Sequence, residues 1–226
     1  MKKYFLLSFF IYIFFFNHTH SHVNHYKKFK YLKYGLFLNS KLIGSHIFEL
    51  ETKNDLFYVS GKGSFKVNKL GVVLMNYSTN SEEIYKNGQL IKYNSKTIQN
   101  EKIKFANVTA KENKLYIDGS SYNGETDVNS LIGSWWNHEI IKSSKQISPI
   151  SGRVIKQKVS FLGKEDIIIG DKKYNSLNFR FLSDDNKPLN KKKLNMNVWY
   201  DSKTFLWVKA SYKKLGLWEY RLLEAR

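Results

Sequence analysis

From about residue 30 to its end, this chain alternates apolar and polar side chains, and no other feature limits its fold so strongly. A period of two suits a pleated strand, whose neighbouring side chains point to opposite faces, and does not suit a helix with its period of 3.6. The longest clean stretch is Leu56-Phe57-Tyr58-Val59-Ser60-Gly61-Lys62-Gly63-Ser64-Phe65-Lys66-Val67. Its glycines suggest a bulge or bend in a curled sheet. Tyr31 to Leu38 and Leu42 to Leu50 alternate around an Asn39-Ser40 turn, and Lys53-Asn54-Asp55 is a second turn signal. Asn87-Gly88 lies between two alternating runs, the strongest short-range hairpin signal. Lys102 to Ala110 and Lys114 to Asp118 form another pair around Glu112-Asn113. Strands resume at Arg153 to Leu162, Glu165 to Ile169 and Lys172 to Phe181, and three more run from Asn197 to Leu222.

The pattern predicts an all-β, mainly antiparallel fold: a single curved sheet, half-barrel or barrel-like, of roughly ten or more strands. The exception is a short helical segment near 127–144, where Val128, Leu131, Ile132, Trp135, Trp136, Ile140 and Ile141 fit one or two helical turns with Asp127 as N-cap. Ser143 to Gly152, with Pro149, reads as a polar loop and the weakest connection in the chain.

The amino terminus has a different character. Lys2 and Lys3 precede an uncharged run from Tyr4 to Phe16, then polar residues. This is the layout of a signal peptide, and the run is short for a bilayer span. Thr19 and Ser21 suit positions −3 and −1 of a cleavage site that frees a chain starting at His22. The expected organisation is a signal peptide at 1–21, a polar tail at 22–29 and a single antiparallel β domain at 30–226. The expected location is the periplasm, with an uncleaved leader anchored in the inner membrane as the alternative.

Three segments carry a family resemblance: Leu42-Ile43-Gly44-Ser45-His46-Ile47-Phe48-Glu49; Ser134-Trp135-Trp136-Asn137; and Trp199-Tyr200-Asp201 with Phe205-Leu206-Trp207-Val208-Lys209-Ala210 and Glu219-Tyr220-Arg221-Leu222. Their order and spacing resemble a domain-of-unknown-function family of exported proteins found mainly in proteobacteria. The resemblance implies a layout similar to periplasmic lipoprotein carriers, in which a curved half-barrel wraps an apolar cavity. It implies no activity. His138 stands where that pattern often has proline.

Cysteine is absent, which excludes disulfides, thiolate metal sites and cysteine nucleophiles. Hydrophobic residues make up 42% and aromatics 16%, too rich for a disordered chain. The net charge of +18 rests almost wholly on lysine, since arginine occurs only at 153, 180, 221 and 226. Lysine accompanies abundant Asn, Ile, Tyr and Phe, which share A/T-rich codons, and an anionic partner would select arginine's bidentate fork. A nucleic-acid partner is not expected. Weak attraction to an anionic membrane surface is.

Candidate chemistry is sparse. Ser134 and His138, with Asn137 and Glu139, supply the residue types of a hydrolase beside two tryptophans, but no G-x-S-x-G elbow is present. The bland alternative is a capping segment whose tryptophans plug the open end of the sheet. His46, Trp135, Trp136, Trp199 and Asp201 are candidate ligand-binding residues. His18, His20, His22 and His25 could share a metal ion but straddle the cleavage point, so no metal site and no cofactor is expected. Glu82-Glu83 are strand neighbours that face opposite ways, a poor acid/base pair. The favoured function is non-enzymatic: an envelope protein that binds an apolar ligand, a lipid chain or a protein partner on a curved sheet. A hydrolase using Ser134 and His138 is the alternative.

Overall fold

A computed structural model describes residues 26–226. The proposed leader and the histidines at 18, 20, 22 and 25 lie outside the described residues. Fifteen strands follow in chain order: β1 (Tyr31–Leu38), β2 (Lys41–Lys53), β3 (Leu56–Lys69), β4 (Val72–Lys86), β5 (Gln89–Gln99), β6 (Lys102–Lys111), β7 (Lys114–Gly119), β8 (Tyr122–Asp127), β9 (Leu131–Ile132), β10 (Lys145–Ile147), β11 (Val154–Ile169), β12 (Lys172–Ser183), β13 (Asn195–Asp201), β14 (Trp207–Lys213) and β15 (Leu217–Ala225). They form one sheet in the order β8-β7-β6-β5-β4-β3-β2-β1-β15-β14-β13-β12-β11-β10-β9. Every pairing is antiparallel except the short β9–β10 contact.

This order is a meander whose first and last strands meet in the middle. β1 pairs with β15 on one side and β2 on the other. The outermost strands, β8 and β9, are separated by three residues in sequence, yet no ladder joins them, so the half-barrel is not closed. The seam is held by the Ser148–Gly152 turn instead. Tyr93 Oη and Ser95 Oγ both donate to the Pro149 carbonyl, at 2.8 and 2.6 Å, and the Ser121 amide donates to Ser151 O. The segment expected to be the weakest connection is therefore a clasp across the sheet edges.

Two local readings are corrected. Asp127 ends β8 and caps no helix; its carboxylate pairs with Lys145. The short helical segment expected near 127–144 is present as a 3-10 turn, His138–Ile141, capped by Asn137, whose side chain accepts from the Glu139 amide. The runs expected as two strands at 153–162 and 165–169 are one strand, β11, with its register shifted between Phe161 and Gly163.

The inner face can be read in rows across the ladder. Tyr85 and Phe57 form one row; Glu83, Val59 and Leu50 the next; then Ser81, Gly61, Phe48 and Leu32; then Thr79, Gly63, His46, Tyr34 and Leu222; then Tyr77, Phe65, Gly44, Leu36 and Tyr220. The glycines permit the tight curl. A methyl group on Gly44 would stand 2.1 Å from the Ser64 carbonyl oxygen and 2.5 Å from Phe65 Cβ. Inward tyrosines then tie loops to the sheet: Tyr26 Oη donates to Phe205 O, Tyr34 Oη to Trp207 O and Tyr200 Oη to Trp135 O. Tyr26, within the segment read as a polar tail, is wholly buried.

Gly44→Ala is expected to cost about 2 kcal/mol or more through overpacking against backbone. In a chain of this size that lowers Tm by roughly 5 °C in a thermal melt. An unchanged melting temperature would mean that β2 and β3 do not approach this closely.

Candidate functional site

The interior has two ends of different character. At the end bearing the β4–β5 turn, the segment Ser134–Ile141 enters the half-barrel and fills it. Trp136 is fully buried, edge-on to Tyr26 at 5.3 Å and Tyr85 at 5.6 Å between ring centres, with Phe57 at 6.1 Å. Its indole Nε1 donates to Glu83 Oε1 at 2.9 Å, and Tyr85 Oη donates to Glu83 Oε2. The far end of the plug is held by buried Gln157, whose Nε2 donates to Ile140 O and Ser143 O.

Glu83 is the residue that sequence reasoning passed over. Adjacent Glu82 is exposed while Glu83 is 1% exposed, so the two do face opposite ways. The available signal was parity: Glu83 shares its strand face with Thr79, Ser81 and Tyr85. Burial pushes its carboxyl above the usual range, and the Tyr85 and Trp136 hydrogen bonds oppose that without reversing it.

At the other end the inward aromatics are only half-buried. Phe65, Tyr77, Trp135, Tyr212, Trp218 and Tyr220 line an open groove there. Phe65 stacks on Tyr77 at 4.7 Å and meets Trp218 edge-on at 5.5 Å, while Tyr212 stacks on Trp218 at 5.8 Å. Burial, then the neighbouring Tyr77 hydroxyl, pushes the Tyr212 phenol up to about 12.

Tyr220 is the hub of this groove. His46, Trp135 and Trp207 surround it, with ring centres 6.3, 6.2 and 5.4 Å away. His46 Nε2, Trp135 Nε1 and Trp207 Nε1 are buried and make no hydrogen bond among the described residues. Buried polar atoms are almost always paired, so three such atoms around one ring call for an explanation. Trp135 adds strain, with φ at 58° in a bulky residue. The His46 ring lies over Gly61 and Gly63: a methyl on Gly61 would stand 3.5 Å from Nε2 and one on Gly63 would stand 3.2 Å from Cδ2. Burial alone lowers the His46 imidazole to about 4.

The remaining candidates sit elsewhere. His138 packs against Phe205 at 5.0 Å and places Nε2 3.3 Å from Glu139 Oε1. Ser134 Oγ makes no hydrogen bond to it, so the nucleophile–base contact of a hydrolase is not formed between these two residues. Trp199 points to the opposite face of the sheet from Tyr200; its Nε1 donates to Glu165 Oε1 at 2.6 Å and Lys209 Nζ lies 5.0 Å from its ring. Asp201 caps its own turn, accepting from the Lys203 and Thr204 amides and the Thr204 hydroxyl. A second, open hollow of about 400 Å³ lies over β6–β8, but its Asn107 and Asp118 already hydrogen-bond each other.

The His46 environment has a consequence for stability. The folded imidazole resists a proton that the open chain accepts below its ordinary value of 6.5. Stability supplied by neutral His46 is therefore complete above that value and is lost as pH falls toward 4. In urea unfolding at pH 7 and pH 5, His46→Phe is expected to shrink the loss of midpoint on acidification. An identical loss in both proteins would refute the buried, neutral imidazole.

Residues 34–223 match the family described as Domain of unknown function (DUF6134), a span of more than half the chain. No curated protein and no solved structure matches.

Proposed function

The chain belongs to the DUF6134 family, and from the groove at its open end we propose that it binds an amphipathic ligand: an apolar chain with a polar head. The observation that carries this reading is the set of three unpaired buried polar atoms around Tyr220, on His46, Trp135 and Trp207. Two are indole donors, which want an acceptor oxygen. Neutral His46 can donate or accept. The half-buried aromatic walls offer an apolar chain a surface that water covers poorly. A carboxylic acid, ester or hydroxyl-headed lipid chain has both parts.

The same proposal places the protein in a bacterial envelope, exported to the periplasm. Lys2, Lys3 and the apolar run to Phe16 support export. The role is binding rather than catalysis: the plug end is solidly packed, and Ser134 makes no hydrogen bond to His138.

Calorimetric titration of the protein with dodecanoic acid tests this. His46→Phe keeps a ring against Phe48 and Tyr220 but removes Nε2. It is expected to weaken dodecanoate about five- to ten-fold, the worth of one hydrogen bond of about 1 kcal/mol. Absence of saturable binding to the wild-type protein, or equal affinity in both, would end the proposal.

A further inference from the structure

Two hairpin turns carry leucine where the backbone asks for something else. Asn39, Asn54, Asn87 and Asn100 open tight turns at φ of 46–50°, a conformation that asparagine tolerates and branched apolar residues avoid. At Asn87-Gly88 the pair has φ of 50° and 81°; at Leu70-Gly71 the values are 50° and 78°. Leu215, before Gly216, has φ of 51°. These leucines are 95% and 100% exposed, so they pack against nothing in the protein. Backbone preference and hydration both disfavour them, and folding gains nothing from either.

Both lie at the same end. In an up-and-down sheet the β1–β2, β3–β4, β5–β6 and β14–β15 turns share one end and the β2–β3, β4–β5 and β6–β7 turns the other. The second set is tipped by Asn54-Asp55, Asn87-Gly88 and Glu112-Asn113. The first set carries, besides the two leucines, exposed Leu42, Val72, Val73, Leu74, Ile98 and Ile103. The β3–β4 hairpin projects furthest, since its ladder continues past the last β2 partner of Phe65 and the last β5 partner of Tyr77. Exposed Lys41, Lys66, Lys69, Lys102, Lys213 and Lys214 stand among these residues, with Glu101 as the acid in the same turns. Nearby Asp184 and Asp185 are paired with Lys158 and Lys192.

We propose that this end is a membrane-docking surface: Leu70 and Leu215, with their neighbouring lysines, seat the protein on an anionic phospholipid bilayer. Apolar tips entering the headgroup layer within a ring of lysines match the two parts of such a surface. The aromatic groove opens toward the same end, since Trp218 and Tyr212 adjoin the Leu215 turn. The proposal goes beyond ligand binding and does not require it. If the groove also holds a lipid chain, its mouth faces the bilayer.

The chain has no cysteine, so single probes can be placed cleanly. Val72→Cys and, at the opposite end, Asn87→Cys would each carry an environment-sensitive nitrobenzoxadiazole label in the full chain. With phosphatidylglycerol-containing vesicles, the label at 72 is expected to brighten and shift to the blue while the label at 87 does not. Pure phosphatidylcholine or high salt should suppress the response. Leu70→Asn with Leu215→Asn restores the usual turn residue, so Tm should hold or rise, yet partitioning read by the 72 label should fall at least about ten-fold. No response at 72, equal responses at 72 and 87, or an undiminished response in the double variant would overturn the proposal. Dodecanoate titration without vesicles reports on the groove separately.

Discussion

A sheet with one apolar face and no second layer must cover that face with itself. Curling brings the inner faces of β1–β5 and β13–β15 together, so that Tyr34 stacks on Trp207 at 4.1 Å. The curl is possible because Gly44, Gly61 and Gly63 leave out side chains where strands crowd. Curling alone does not fill the centre, and the Ser134–Ile141 segment does so at one end. Trp136 supplies volume, and Glu83 answers its indole N–H. The buried carboxyl is tolerable because two donors meet it.

The other end follows from the same constraint left incomplete. Among the described residues no plug reaches it, so its aromatics remain half-exposed and three polar atoms around Tyr220 lack partners. A protein selected for stability alone would fill such a space or replace those polar groups. The strained Trp135, which joins plug to groove, points the same way.

Much of this architecture was legible in the chain. Alternation and Asn-Gly-type turns are local consequences of strand geometry, so the all-β class, the curved sheet and most hairpins could be read directly. A plug of both tryptophans, the alternative reading of this segment, holds for Trp136 alone, since Trp135 turns to Trp207 and Tyr220. Long-range partners were not legible. Glu83 and Trp136 are 53 positions apart, and parity alone could say only that Glu83 faces inward. Trp199 and Asp201 look like site residues in sequence, but one faces outward and the other caps a turn. Asp127 resembled a helix cap because the choice between Asp127 and Asn137 depends on where the backbone turns. The clasp at Pro149 was hidden because its partners, Tyr93 and Ser95, belong to β5, more than 50 positions away in the other half of the sheet.

The ligand we propose would pair the polar atoms of the open end. The chain has five tryptophans, whose indole N–H signals can be followed separately by proton–nitrogen NMR. Trp136, Trp199 and Trp218 already donate to Glu83, Glu165 and Lys214 O, whereas Trp135 and Trp207 do not donate. On addition of a medium-chain fatty acid, the Trp135 and Trp207 signals should move downfield as they gain acceptors, while Trp136 and Trp199 stay in place. Five unmoved signals, or movement confined to Trp136 and Trp199, would contradict the account.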